Sequence, residues 1–393
     1  MQSQKLLFGV DHFLQRADKF SHLHFALITN DAATTSEGTL SRIALLRKGI
    51  KLTKLFSPEH GLTAQGEDGV FQTNITDIAT GLPVISLYGD RLKPSGKDLA
   101  NVDAVLFDIP DVGCRFYTYL WTMTYMMEAC AEFNKPLFVL DRPNPVSGDL
   151  NLIEGPMLDE ANCSSFIGRW SIPVRHSCSL GELASYFAAT RLKGLDLQIS
   201  KVQNWSREQS AGNAKWFFVP PSPAIPDADT ALLYPGIGLL EGININEGRG
   251  TDDPFKILGA PWINADQIHE AFENLNLPGV MANRYSYEPG FGIYCNKKCH
   301  GLQLKIADIS SFRPVRTGLE LINLIASLYP EYCKERSYKT RANPTGNRHL
   351  DKLTGIYNSF EKIKNKEMTD LQQDVSGWKK IIGPHLLYHS THA

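Results

Sequence analysis

Glu59 and His60 come directly after an apolar run, Ile50 to Ser57, that is closed by Pro58. A carboxyl beside an imidazole can move protons. In an open α/β sheet the ligand crevice lies outside the carboxyl ends of the parallel strands, so a pair at such an end is placed for chemistry. Pro58 supports a strand end here because it has no N–H for a central ladder. Neighbouring apolar runs end in the same way. His24 to Asn30 is closed by Asn30 and Asp31, Ala104 to Phe107 runs into Asp108 and Asp111, and Leu137 to Leu140 into Asp141, Arg142 and Asn144. A second polar stretch, Glu241 to Phe255, sets Asn246, Glu247, Arg249 and Thr251 among Gly242, Gly248 and Gly250. Glycines let the backbone approach a ligand closely, and an arginine between two of them suits a carboxylate.

The elements that would position these residues alternate along the chain. Gly38 to Gly49 carries Leu40, Ile43 and Ala44 on one face, which suits a helix packed on a sheet, and Leu82 to Leu87 reads as another strand. Arg115 to Phe133 is rich in aromatic residues and Met and reads as a buried helix. Apolar runs without alternation are expected of parallel strands covered on both faces. Residues 1–150 therefore read as a Rossmann-like, doubly wound parallel-sheet domain, and 151–393 as an α+β domain carrying the 241–255 loop. In the second part Ser179 to Glu182 and Thr317 to Glu320 match capping boxes, opening helices through Arg191 and Leu328. Strands are expected at Leu197 to Val202, Trp216 to Val219 and Leu302 to Ile306, and a short helix around Trp378.

Composition narrows the function. The 40 Lys and Arg are offset by 42 Asp and Glu, with no basic run, so no nucleic-acid partner is expected. No apolar stretch approaches the ~20 residues of a membrane span. The first residues lack the apolar core of an export signal, so the chain as written is expected in the cytoplasm, and outside it only if a leader preceded it. Seven scattered cysteines suit a reducing compartment. There is no phosphate-binding Gly-x4-Gly-Lys-Ser/Thr, and Gly236-Ile-Gly238-Leu-Leu-Glu241 puts Glu where a dinucleotide fingerprint needs its last glycine. Gly-x-Ser-x-Gly is absent as well. Cys295, Cys299 and His300 lack a second ligand pair. No cofactor or metal is expected, and no feature sets an oligomeric state.

Ten segments together resemble the NamZ-type exo-β-N-acetylmuramidase family, glycoside hydrolases long carried as a domain of unknown function. They are SPEHG (57–61), SLYG (86–89), FDIPDVGCRFYTY (107–119), LDRPNP (140–145), EGP (154–156), IPVRHSCSLGELA (172–184), PSP (221–223), YPG (234–236), EGININEGRGTDDPF (241–255) and GAPW (259–262). The chain departs from the family at Pro110, where a Gln is usual, at Ser177-Cys178-Ser179, where Gly-Met-Thr is usual, and at Ala224, which replaces an Asn.

The resemblance implies hydrolysis of β-linked N-acetylmuramic acid at the non-reducing end of bacterial peptidoglycan fragments, in cell-wall recycling. Such hydrolysis needs a carboxylic acid to protonate the leaving oxygen and usually a second carboxylate. Glu59, with an apolar strand behind it, is the candidate acid, and His60 would orient it. Asp111 and Glu247 are candidates for the second carboxylate, and the substrate's own acetamido group is a third nucleophile. Muramic acid carries a lactyl carboxylate, for which Arg115, Arg142 and Arg249 are candidate partners. Tyr117 or Tyr119 would stack on a sugar face, while Asp141, Asn144, Asn246 and Thr251 complete the candidate binding set. Two other readings stay open: a metal-dependent phosphoesterase built on Asp31, Asp108, Asp111 and Asp141, and a cell-wall sugar-binding protein without turnover.

Overall fold

The computed structural model describes residues 5–66, 75–213, 216, 218–340, 343–365, 367 and 375–390. Among these residues ten strands make two sheets: β1 His24–Thr29, β2 Lys51–Ser57, β3 Ile75–Thr76, β4 Pro83–Ser86, β5 Ala104–Asp108, β6 Leu137–Leu140, β7 Leu197–Ser200, β8 Ile257–Ala260, β9 Val280–Tyr287 and β10 Cys299–Ile306. The first sheet has the order β3-β4-β2-β1-β5-β6-β7 and is parallel except for the edge strand β3. From β1 the chain winds outward to β2 and β4, then returns to lay β5, β6 and β7 on the other side. The strand order therefore reverses between β1 and β5.

Both faces of this sheet are buried, which explains the unbroken apolar runs. Along β1, Ala26 and Ile28 enter one cluster while Phe25 and Leu27 enter another, and β5 divides Val105 and Phe107 from Ala104 and Leu106 in the same way. Leu197–Ser200, placed by sequence beyond a seam near residue 150, pairs with β6 and closes the parallel sheet. The second sheet is antiparallel, with order β8-β10-β9. One continuous cluster of buried residues joins the two parts, from Phe107 beneath the first sheet to Leu302 and Ile322 in the second part.

Three local expectations need correction. Arg115 to Phe133 becomes helical only at Tyr119 and ends at Glu132, because Arg115 to Thr118 form the turn that enters the helix. Thr317 does not cap a helix. That helix begins at Pro314, whose fixed φ suits the first turn, and the Thr317 hydroxyl donates back to the Arg313 carbonyl at 2.9 Å. The described residues of 216–219 form no strand, and Phe217 lies outside them. By contrast, Ser179 and Glu182 do form a reciprocal capping box ahead of the helix Leu180–Thr190.

Helices Ala228–Ile237 and Pro314–Leu328 cross at a glycine pair. A Cβ on Gly236 would lie 1.8 Å from the Pro314 carbonyl oxygen, and one on Gly318 would lie 2.1 Å from the Gly236 oxygen. Neither backbone can yield without separating the helices. Gly236→Ala should therefore cost at least about 1–3 kcal/mol as overpacking, read as a lowered melting temperature. An unchanged melting curve would mean that the crossing is loose.

The last elements return to the first sheet. The Trp378 indole donates to the His176 carbonyl at 3.1 Å and the Leu387 amide to Glu182 at 3.0 Å. The Tyr388 hydroxyl donates to Asp141 at 2.6 Å.

Candidate active site

β2 ends at Ser57, and the next three residues turn the chain sharply across the C-terminal rim of the sheet. His60 and Gly61 have φ of 67° and 71°. A left-handed conformation is uncommon for a histidine and is held here by surrounding contacts. The His60 Nδ1–H donates to the Gly66 carbonyl at 2.8 Å, which leaves Nε2 as an acceptor. Burial lowers the His60 pKa, with Glu59 acting in the opposite direction, so the ring is neutral. The helix Tyr119–Glu132 opens against Glu59, and the hydroxyl of Thr118 donates to Glu59 Oε2 at 2.8 Å. Tyr88, just past β4, gives Glu59 a second hydroxyl hydrogen bond.

Glu59 and His60 lie in a cleft of about 760 Å³ whose opposite wall comes from the second part of the chain. Glu241, Arg249, Phe255, Tyr338, His349 and Lys352 line that wall, while Tyr88, Phe116, Tyr117 and Phe166 line the near side. The 241–255 stretch is folded by its own polar groups. Asn246 Oδ1 accepts from the Gly248 amide at 2.9 Å, and its Nδ2 donates to the Arg249 carbonyl at 3.0 Å. Thr251 donates to the Gly248 carbonyl at 2.7 Å. Gly248 and Gly250 have φ of 85° and 86°, and a Cβ on Gly248 would meet the Asp253 oxygen at 2.4 Å. This turn carries Arg249 into the cleft.

Arg249 Nε lies 2.7 Å from Glu241 Oε1 and 3.5 Å from Glu247 Oε1. Arg336 Nη1 lies 3.6 Å from Glu247 Oε2 on the other side. Burial pushes Glu241 well above the usual carboxylate range, and Glu247 beside it adds to the rise. Glu247 is raised as well, chiefly by burial. Crowding of two buried acids around the same arginines disfavours ionising both at once. Deeper in the cleft His349 stacks on Tyr338, with ring centroids 4.6 Å apart. Burial, then Lys352, Arg336 and Arg249, lower its pKa to about 3. Neither ring nitrogen has a hydrogen-bond partner among the described residues.

Among the residues singled out in the sequence, Glu59, His60, Tyr117 and Arg249 line this one cleft. Glu247 sits behind Arg249 and is 1% exposed. Asn246 and Thr251 shape the loop rather than the cleft. Four others belong elsewhere. Arg115 is fully buried and donates to the carbonyls of Pro156, Ile172 and Leu353 at 2.7–2.9 Å, so it cannot meet a substrate carboxylate. Arg142 forms a fork on Asp108 at 2.6 and 3.0 Å. Asp141 is enclosed by Ser179, Gly181 and Tyr388, and burial raises its pKa to about 6. Asn144 builds an Asx turn to Val146 and holds the Cys178 carbonyl.

Asp111 does not line the cleft. It faces a second, smaller pocket, 3.6 Å from His176 Nε2. Asp31 pairs with Arg42 at 2.7 Å. With the rim acids partnered separately, no three His, Cys, Asp or Glu side chains among the described residues come together to hold a metal ion. Glu241, Tyr88, Tyr338, His349 and Lys352 also line the cleft and are not among the candidates that sequence singles out. Glu241 and Tyr88 stood inside quoted motifs, whereas the other three come from polar segments with no local sign of a site.

An α/β protein whose cleft sets two carboxyls among aromatic walls and fixed cations has the make-up of a glycoside hydrolase. The family models described as "Exo-beta-N-acetylmuramidase NamZ", N-terminal and C-terminal, match residues 25–229 and 232–388. The chain belongs to the NamZ exo-β-N-acetylmuramidase family. It is 40% identical over 380 residues to the peptidoglycan β-N-acetylmuramidase NamZ of Bacillus subtilis (strain 168), covering 96% of this chain and 88% of that protein. Two solved structures from Bacteroides fragilis NCTC 9343, both described as DUF1343 family proteins, are each 27% identical to it. Their TM-scores are 0.87 and 0.72, and the alignments cover 98% and 99% of this chain and 99% and 100% of theirs.

Proposed function

We infer that this protein is an exo-acting glycoside hydrolase that releases β-linked N-acetylmuramic acid from the non-reducing ends of peptidoglycan fragments. The observation that carries the reading is the single cleft shared by Glu59 and Glu241, in a chain of this family. The sequence alone suggested Glu59 as the proton donor, but the surroundings favour Glu241. Its carboxyl is pushed up by burial and by Glu247, against the pull of Arg336 and the Arg249 pair, which favours the protonated form that a leaving glycosidic oxygen needs. Glu59, with hydroxyl donors from Thr118 and Tyr88, suits the partner carboxylate. It stabilises positive charge developing at the anomeric carbon, whether by bonding to that carbon or by orienting the substrate's acetamido group. His60, neutral and with Nε2 free of its own proton, offers an acceptor beside Glu59. Tyr117 and Phe116 supply flat apolar faces for a sugar ring.

The reading is tested by incubating the protein with a muramic acid–glucosamine disaccharide and identifying products by mass spectrometry. Free N-acetylmuramic acid is expected; an intact disaccharide after long incubation would overturn it.

The lactyl carboxylate needs a cation. Arg249 is committed to Glu241, but Lys352 has three N–H donors and spends two on Asn343 Oδ1 and the Asn347 carbonyl. Lys352→Ala should therefore narrow the preference for muramic acid over a substrate lacking the lactyl group by roughly tenfold, as a charge-assisted bond is worth about 1.5–3 kcal/mol. The ratio of kcat/KM for the two substrates decides it. An unchanged ratio would place recognition of the carboxylate on another group.

A further inference from the structure

The parallel sheet has a second pocket, of about 420 Å³, at the point between β1 and β5 where its strand order reverses. Open α/β sheets place ligands outside the strand ends at that point, yet the Glu59 cleft lies to one side, over β2 and β4. Thr34 after β1, Asp111 after β5 and Arg142 after β6 line the pocket, and Trp216 and Phe218 form its aromatic wall. Asp111 is 8% exposed and Thr34 4% exposed, and among the described residues neither Asp111 Oδ1 nor Thr34 Oγ1 has a hydrogen-bond partner. A buried acceptor left unpaired costs about 1–3 kcal/mol, so a ligand hydroxyl or amide N–H is the natural complement.

The charges select against an anion. Arg142 is the cation in the lining, and it is already neutralised by its fork on Asp108, while Asp111 would repel a phosphate. What remains is an apolar face opposite hydrogen-bonding groups, which suits a neutral ring carrying hydroxyls. The pocket also adjoins the Glu59 cleft, since Pro221 lines the one and Ser222 the other. The Tyr119 hydroxyl positions Pro221 at this junction by donating to its carbonyl at 2.7 Å.

We propose that this pocket binds the saccharide on the leaving-group side of the scissile bond, with its ring on Trp216 and a hydroxyl or acetamido N–H on Asp111. The assignment to the leaving group rests on the hydrolase reading above.

The test compares wild type, Trp216→Ala and Asp111→Asn by calorimetric titration with free N-acetylglucosamine, and wild type and Trp216→Ala by kinetics on a muramic acid–glucosamine disaccharide and an aryl muramide. Both variants should weaken N-acetylglucosamine binding by about tenfold or more. Trp216→Ala should raise KM for the disaccharide to a similar extent and, because an aryl leaving group brings no acetamido group or sugar hydroxyls to the pocket, raise it less for the aryl substrate. The isosteric Asp111→Asn keeps the binding test valid if loss of Trp216 disturbs folding. Unaltered N-acetylglucosamine binding in both variants, or equal change on both substrates, would overturn the proposal. If wild type cleaves neither substrate but binding still depends on Trp216 and Asp111, the hydrolase reading fails while the pocket stands as a saccharide site.

Discussion

Glu59→Gln should lower kcat by about 10²–10⁴-fold with little change in KM or melting temperature. Glutamine keeps the shape of the side chain and can still accept the Thr118 hydroxyl, so the rim should keep its structure. It cannot supply the negative charge that an oxocarbenium-like transition state needs, nor orient an acetamido group as an anion would. The loss therefore falls on the chemical step. Kinetics and a melting curve on the same purified variant check it: near-normal kcat with lowered stability would make Glu59 a structural residue at the head of a helix.

Glu241→Gln should lose a comparable factor on the natural disaccharide, about 10²–10⁴-fold, but for a different reason. Without the proton of Glu241 the leaving sugar would depart as an alkoxide. A dinitrophenyl muramide, whose leaving group needs no protonation, should therefore restore much of the rate in Glu241→Gln and little of it in Glu59→Gln. Rescue of the opposite variant would exchange the two roles. The pH dependence gives an independent check. The Glu241 pKa is raised in the folded protein, so the wild-type rate on the disaccharide is present while the proton is held and is lost as pH rises through that raised pKa. With the dinitrophenyl substrate that alkaline loss should disappear.

The parallel sheet was legible because β1, β2, β5 and β6 are short apolar runs stopped by Asn, Asp or Pro, and β4 lies in one closed by Tyr88 and Gly89. β7 was placed in the wrong part of the molecule, because its pairing with β6 depends on a crossover that no local pattern encodes. Thr317 misled for a related reason: the capping-box spacing was present, but Pro314 had already begun the helix. At the site, Glu59 and Arg249 were readable from turn chemistry, one at a strand end and the other between two glycines. Arg115 and Arg142 carried the same signal of charge near a rim, yet buried carbonyls and Asp108 consume their donors. Which arginine is spent and which faces a ligand depends on long-range partners. His349 and Lys352 are brought to the cleft only by the packing of the second part, so nothing near them in sequence marks them.

Tyr388 closes the polar enclosure of Asp141, and Leu387 does the same for Glu182, which leaves two buried acids waiting on residues 247 and 205 positions further along the chain. During synthesis at about 5–20 residues per second, an N-terminal domain generally folds before the rest has emerged. Here the sheet can collapse early, and Ser179, Gly181 and Arg207 can already reach these carboxyls, but their enclosure is incomplete until residues 387 and 388 have left the ribosome. The nascent chain should thus pass through a collapsed, protease-sensitive stage that ends only once residues 387 and 388 have emerged. A stop codon placed ahead of residue 387 would trap the protein in that stage, although every residue lining the Glu59 cleft would already have been made.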